Sequence, residues 1–99
     1  DTAGGGAEAP AAGGNGKEVV MRDIQFNPGD VTIKTGETVT WKNDDSVGHD
    51  VHADDGSFSS GDPGGISPGK DFAHEFDTAG TFKYVCDVHP GMEGEVVVK

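Results

Sequence analysis

The sequence predicts an all-β domain, a Greek-key sandwich or small barrel of about seven to eight strands. Three observations lead to this prediction. Apolar and polar residues alternate with the period of two that half-buried strands show. Turn sequences recur every ~8 to 12 residues, and 17 glycines and 5 prolines supply them. No segment of useful length has a helical period, so the 99 residues suit one β-rich domain.

The alternation extends from Lys17 to Lys99, and we place a single β domain over residues 17–99. In the predicted strands the residues that share a face lie two apart, except for the step from Met21 to Ile24: Val19 and Met21, extended to Ile24 and Phe26; Val31 and Ile33; Val39 and Trp41; Phe72, His74 and Phe76; Phe82, Tyr84 and Cys86; Val96 and Val98. Glycine and proline mark the turns between them, at Asn27-Pro28-Gly29, Thr35-Gly36, Asp62-Pro63-Gly64-Gly65, Ser67-Pro68-Gly69 and Thr78-Ala79-Gly80.

Residues 1–16 consist almost wholly of Gly, Ala and Pro and contain no large apolar side chain. Such a segment cannot bury enough surface to offset its ordering entropy, so we predict a flexible tail or linker. The chain lacks an initiator Met. We therefore expect an exported protein, periplasmic or otherwise extracytoplasmic and tethered to a membrane through this tail; the alternative is a boundary without biological meaning. No run approaches the ~18 to 20 apolar residues of a membrane span.

The composition is strongly acidic, with 18 acidic residues against 7 basic ones and a formal net charge of −11. This charge repels nucleic acid and attracts a basic protein, whose approach it would steer. Solubility alone is the competing interpretation. No Lys or Arg occurs between residues 43 and 69, and we predict that the acidic residues of this region dock the partner: Asp44, Asp45, Asp54, Asp55 and Asp62.

One loop near the C-terminus carries three side chains that bind metals, Cys86, His89 and Met92, at intervals of three. Thiolate and thioether favour Cu(I), and imidazole binds both copper states. Two histidines and a thiolate with a weak axial Met form an electron-transfer copper site, so a second histidine must come from elsewhere. His49 and His52 are the candidates, and alternation turns them to opposite faces. Without the pattern of this loop, a buried structural role would be the favoured interpretation of Cys86, and core packing that of Met92.

The chain resembles the small blue copper proteins, the cupredoxins of the plastocyanin, amicyanin and halocyanin kind, over residues 17–99. Five ordered landmarks carry the resemblance: Phe26-Asn27-Pro28, residues 36–43, His49-Asp50-Val51, residues 79–84, and the Cys86 loop. The Cys-x2-His-x2-Met spacing is most similar to that of amicyanin. The resemblance implies a cupredoxin fold and one copper ion, Cu(I) or Cu(II), with four ligands: His49, Cys86, His89 and Met92.

The resemblance also implies a function, a one-electron carrier that shuttles electrons between redox proteins, with His89 as the electron port. We expect a monomer whose partner is a cytochrome or a copper enzyme with a basic docking surface. The second interpretation is a copper carrier or buffer without redox cycling. No enzymatic activity is predicted, because a two-copper centre needs two loop cysteines, coupled copper sites need His-x-His motifs, and a filled copper site leaves no open position.

Four positions next to the predicted ligands differ from the pattern that the resemblance implies. Gly48 and Asp50 stand where relatives often have Pro and Asn, and Asp50 can accept but not donate the hydrogen bonds that join the ligand loops. Asp87 and Val88 stand where Ser or Thr and then Pro are common, and Val88 offers an N–H that proline lacks. Donors near the sulfur tend to raise the reduction potential, and carboxylates should lower it.

Overall fold

Eight β-strands and no helix make up residues 16–99, the part of the chain that this computed structural model describes. This architecture confirms the all-β prediction. The strands are β1 (Gly16–Arg22), β2 (Gln25–Asn27), β3 (Asp30–Ile33), β4 (Glu37–Asn43), β5 (His52–Ala53), β6 (Asp71–Phe76), β7 (Gly80–Val85) and β8 (Glu93–Val98). Over the same residues, no helix is long and apolar enough to cross a membrane.

The strands form two four-stranded sheets, with the orders β2-β1-β4-β6 and β3-β8-β7-β5. Each sheet contains one parallel pair, β1 with β4 and β3 with β8, and its other pairs are antiparallel. Because side chains alternate between the faces of a strand, each sheet turns one apolar face toward the other. The two inner faces enclose the core.

The first strands differ from the predicted strand pattern. Strand β1 begins at Gly16, the last residue of the predicted tail, where it pairs with Thr38. The predicted first strand is divided by a turn at Asp23 and Ile24, both with a φ of 56°, and Ile24 is exposed. The rest of the predicted tail, residues 1–15, lies outside the described residues.

Trp41 is the centre of the core. It is fully buried on β4, stacks on Phe58 and Phe72 at centroid distances of 5.8 and 5.5 Å, and meets the edge of Tyr84 at 5.3 Å. The indole N–H of Trp41 and the hydroxyl of Tyr84 are buried without a hydrogen-bond partner among the described residues. These aromatic contacts join β4 and β6 of one sheet to β7 of the other.

The segment after β4 is fixed by Asn43, a buried residue. Its side-chain amide donates to the carbonyl oxygens of Val47 and Ile66, both at 2.8 Å. His49 then exchanges backbone hydrogen bonds with Ile66, at 3.1 and 2.8 Å. His49 therefore lies in an isolated bridge and not at the start of a strand, since β5 comprises only His52 and Ala53.

Candidate metal centre

Three side chains with metal-binding atoms meet where the loops after β4 and β7 come together. One ring nitrogen each of His49 and His89 and the sulfur of Cys86 all lie within 4.8 Å of one another. The Nδ1 atom of His49 is 3.7 Å from Cys86 Sγ, and the two imidazoles contact edge to face with centroids 4.8 Å apart. The structure thus brings together three of the four residues predicted as ligands, from segments 37 residues apart in the sequence.

The fourth predicted ligand, Met92, ends the loop that begins at Cys86. The Cys86 N–H donates to the Met92 carbonyl at 3.0 Å, and the Met92 N–H donates to the His89 carbonyl at 3.1 Å. Gly91, with a φ of 87°, supplies the left-handed conformation of this tight loop. Met92 is 2% exposed, so its thioether is shielded from solvent.

His49 is held at both of its ring nitrogens. Its Nε2 lies 2.7 Å from Oδ2 of Asp45, while its Nδ1 faces Cys86. The Asp45 side chain is only 13% exposed. Burial opposes ionisation of this carboxyl, yet hydrogen bonds from His49, Ile24 and Asp23 hold the pKa of Asp45 below its ordinary value. A carboxylate therefore orients the imidazole.

The donor atoms of this site fit copper. Two imidazole nitrogens and a thiol meet here, and the buried Met92 lies in the same loop as two of them. These borderline or soft donors select copper over the hard cations that prefer oxygen. The family model for copper-binding proteins of the plastocyanin/azurin family matches residues 16–99.

The chain belongs to this family. It is 38% identical to a plastocyanin of Scenedesmus fuscus over 77% of this chain and 88% of that protein. It is 35% identical to amicyanin-alpha of Methylorubrum extorquens over 93% of this chain and 76% of that protein. The resemblance inferred from the sequence is therefore confirmed.

Solved structures of cupredoxins share the fold. A purple cupredoxin from Nitrosopumilus maritimus has a TM-score of 0.73 at 30% identity and covers 84% of this chain and 99% of its own. The Cu(I) form of an amicyanin variant has a TM-score of 0.77 at 30% identity and covers 91% and 86%. The chain is thus a cupredoxin, a one-electron carrier that works with one type 1 copper ion.

Asp50 joins the loops of this cupredoxin site. It is fully buried, and its carboxylate accepts hydrogen bonds from the N–H groups of Gly64, at 3.1 Å, and Asp87, at 3.1 and 3.2 Å. Its own N–H donates to Cys86 Sγ at 3.4 Å, and Oδ1 lies 3.3 Å from the same sulfur. As an acceptor, Asp50 connects three segments, the linking role that sequence reasoning expected.

The Cys86 thiol lies in a mixed environment. Burial raises its pKa, the N–H groups of Asp50 and Val88 lower it, and the Asp50 carboxylate raises it again. The contribution of Val88 agrees with the expectation that this residue supplies an N–H near the sulfur. The thiol needs a metal ion to become a thiolate near neutral pH, because a metal ion deprotonates a coordinating thiol outright.

Gly48 has a steric reason to be glycine. A Cβ atom at this position would collide with the backbone carbonyl oxygen of Gly64. The two backbones therefore pass too close to each other for any side chain at position 48, although relatives often have proline there. The N–H of the same Gly64 donates to Asp50, so this contact holds residues 62–65 against the site.

His52, the rival of His49, lies on the surface. Its Nδ1 is 2.9 Å from Oδ2 of Asp87, and the side chains are 48% and 36% exposed. This hydrogen bond raises the pKa of His52 and lowers that of Asp87. His74 is likewise apart from the site and stacks on Phe58 at 4.9 Å.

The acidic residues predicted to dock a partner fall into two groups. Asp54, Asp55 and Asp62 are exposed, and Asp44 is exposed but paired with Arg22 at 2.6 Å. Asp45 differs from the prediction, because its carboxylate is turned inward to His49 and away from solvent. Sequence reasoning missed this role. The available signal was an acidic residue four positions before the histidine in a short loop.

Proposed function

We propose that His49, Cys86, His89 and Met92 are the four ligands of the copper ion. One observation carries this proposal. A ring nitrogen of His49, a ring nitrogen of His89 and the sulfur of Cys86, the only cysteine of the chain, lie within 4.8 Å of one another. The arrangement supports it because two histidines and a cysteine form the trigonal plane of an electron-transfer copper site, with a weak axial thioether. Backbone hydrogen bonds and buried carboxylates hold these side chains in place, which keeps their motion small when an electron arrives or leaves.

We propose that His89 is the electron port. Of the two site histidines, His49 is fully buried and His89 is half-buried. His89 is flanked by the exposed Val88 and Pro90, so a partner can reach its ring edge without opening the loop. Apolar neighbours allow a partner to approach closely, because little bound water must be displaced.

The electron partner, in this proposal, is a redox protein with a basic surface, such as a cytochrome or a copper enzyme. Asp54, Asp55 and Asp62 form what we call the acidic surface; all three are exposed and no Lys or Arg occurs between residues 43 and 69. Charges of one sign steer an oppositely charged partner toward its docking site. The protein acts as a monomeric carrier without enzymatic activity of its own.

In this proposal the protein lies outside the cytoplasm, with residues 1–15 as a linker to the membrane. Its membership of the plastocyanin/azurin family supports the location. The Gly- and Ala-rich composition of these residues supports the assignment of a linker.

The ligand set is tested by loading the protein with copper and comparing His49→Ala with His52→Ala. We expect the wild type and His52→Ala to bind one copper ion, to show the intense visible absorption of copper bonded to thiolate, and to give reversible voltammetry. His49→Ala should lose that absorption, because it removes one of the three strong ligands. A colourless wild type that releases copper readily would instead support a copper buffer, and an unaltered His49→Ala would exclude His49.

The acidic surface is tested with stopped-flow electron transfer to a small cytochrome of net positive charge. Asp54→Asn/Asp62→Asn is compared with Glu75→Gln/Asp77→Asn, which removes the same charge from exposed positions at the far end of β6. We expect the first variant to react about threefold more slowly at low salt and the control to change little, because local charge steers docking. The difference should vanish at 1 M salt, where the Debye length is about 3 Å. Equal slowing in both variants would exclude a localised surface.

A further inference from the structure

The carboxylate of Asp45 joins the turn at Asp23 and Ile24 to His49, which follows that turn by 25 to 26 residues. Its Oδ1 accepts a hydrogen bond from the N–H of Asp23 at 2.7 Å, and its Oδ2 accepts one from the N–H of Ile24 at 3.1 Å. The same Oδ2 lies 2.7 Å from Nε2 of His49. Each oxygen therefore receives a backbone donor from the turn between β1 and β2, and one of them also receives the imidazole.

This contact determines which ring nitrogen of His49 carries the proton. A carboxylate can only accept hydrogen bonds, so Nε2 must be the protonated nitrogen. In neutral imidazole the other nitrogen then has a free lone pair. That other nitrogen is Nδ1, the atom 3.7 Å from Cys86 Sγ. Asp45 thus leaves a free lone pair on the side of the ring that faces the thiol.

The turn that holds Asp45 has an unusual backbone. Asp23 and Ile24 both have a φ of 56°, a left-handed conformation that is especially unfavourable for a β-branched residue. The conformation directs two successive N–H groups toward one carboxylate, as in the backbone nests that bind anions. The carboxylate of Asp45 that orients His49 therefore also holds this strained turn.

We propose that Asp45 is a positioning residue that couples the β1–β2 turn to His49 and selects the nitrogen that this histidine presents to copper. The inference rests on the proposed function, in which His49 is a ligand. It differs from a purely structural role, in which Asp45 would hold the turn without influencing the metal. Outer hydrogen bonds of this kind fix the tautomer and ring orientation of metal-bound histidines.

The experiment compares Asp45→Asn with the control Asp44→Asn. The control removes the same charge from the adjacent residue, whose carboxylate pairs with Arg22 at the surface. In Asp45→Asn the amide group can donate to Nε2, which favours the opposite tautomer. We expect a 10- to 100-fold loss of Cu(I) affinity in Asp45→Asn, measured by competition with a chelator, and less than twofold loss in Asp44→Asn.

Two further readouts concern the protein without copper. Nitrogen-15 NMR of the imidazoles should show the Nε2–H tautomer for His49 in the wild type and a shift toward Nδ1–H in Asp45→Asn. Amide hydrogen exchange at Asp23 and Ile24 should accelerate in Asp45→Asn and should slow when wild-type protein takes up Cu(I), because coupling between two sites is reciprocal.

The inference is overturned if Asp45→Asn binds Cu(I) as tightly as Asp44→Asn, or if His49 of the copper-free wild type carries its proton on Nδ1. The second measurement needs no variant, so it decides the matter even if Asp45→Asn does not fold. Failure of the proposed function has a different signature, because His49→Ala would then keep wild-type copper affinity. Loss of copper in His49→Ala without any effect of Asp45→Asn would refute the positioning role alone.

Discussion

Replacement of Cys86 with alanine is expected to abolish the intense visible absorption of the copper-loaded protein and to weaken copper binding by more than about 100-fold. Cys86 is the only cysteine, so no other thiolate can take its place. The residue is 3% exposed, and its sulfur contacts His49 and Asp50. Optical spectra, metal analysis and chelator competition measure the loss.

The control for this variant is Met21→Leu, which removes a buried sulfur from β1. It should keep one copper ion and the wild-type spectrum. Both variants should unfold cooperatively in urea. Cys86→Ala removes one small side chain from a loop, and Met21→Leu nearly conserves the buried volume of β1. A Cys86→Ala protein that retains a tightly bound copper ion with unchanged colour would contradict the ligand set and leave only a structural interpretation of the thiol.

Replacement of Asp50 with asparagine is expected to raise the reduction potential by an amount on the order of 100 mV. The carboxylate is fully buried, with Oδ1 3.3 Å from Cys86 Sγ. A negative charge stabilises the more positive oxidised state, so its removal favours reduction. One unit charge at about 5 Å contributes about 3 kcal/mol at an effective dielectric constant of 20, and 59 mV corresponds to a tenfold change for one electron.

The asparagine amide also changes the hydrogen bonding in the same direction. Its NH2 group can donate to the sulfur, which the carboxylate cannot do, and donors to the sulfur raise the potential. Protein-film voltammetry measures the shift. Asp54→Asn is the control, because that exposed charge is screened by solvent and salt; we expect it to move the potential by less than about 20 mV. An unchanged or lower potential in Asp50→Asn would contradict the electrostatic argument.

Alternation identified the buried faces but not the neighbours of each strand. Val39 and Trp41 are on the inner face of β4, as the period of two predicts. Nothing in that period states that β1 runs parallel to β4, because pairing depends on contacts that are distant in sequence. The turn at Asp23 and Ile24 was missed because it contains neither glycine nor proline. Phe58, isolated among Asp, Ser and Gly, gave no period at all, yet it is 5% exposed and stacks on Trp41.

The site was predictable where its spacing is local. Cys86, His89 and Met92 lie in one short loop, and backbone hydrogen bonds join each of them to the other two. The choice between His49 and His52 needed the resemblance, since both lie in the same segment. The inward position of Asp45 could not be foreseen, because it depends on a turn of the distant β1–β2 connection that donates to its carboxylate. Acidic residues are mostly exposed, so the sequence favoured a surface position for Asp45.

The unpaired hydroxyl of Tyr84 affects how readily this ring can be oxidised. A tyrosine that loses an electron must also release its proton, and this one is enclosed by aromatic rings with no acceptor among residues 16–99. Burial raises the pKa of Tyr84 to about 12. Oxidation of the Tyr84 ring is therefore unfavourable. In the proposed route through His89, the electron does not need to pass through this ring.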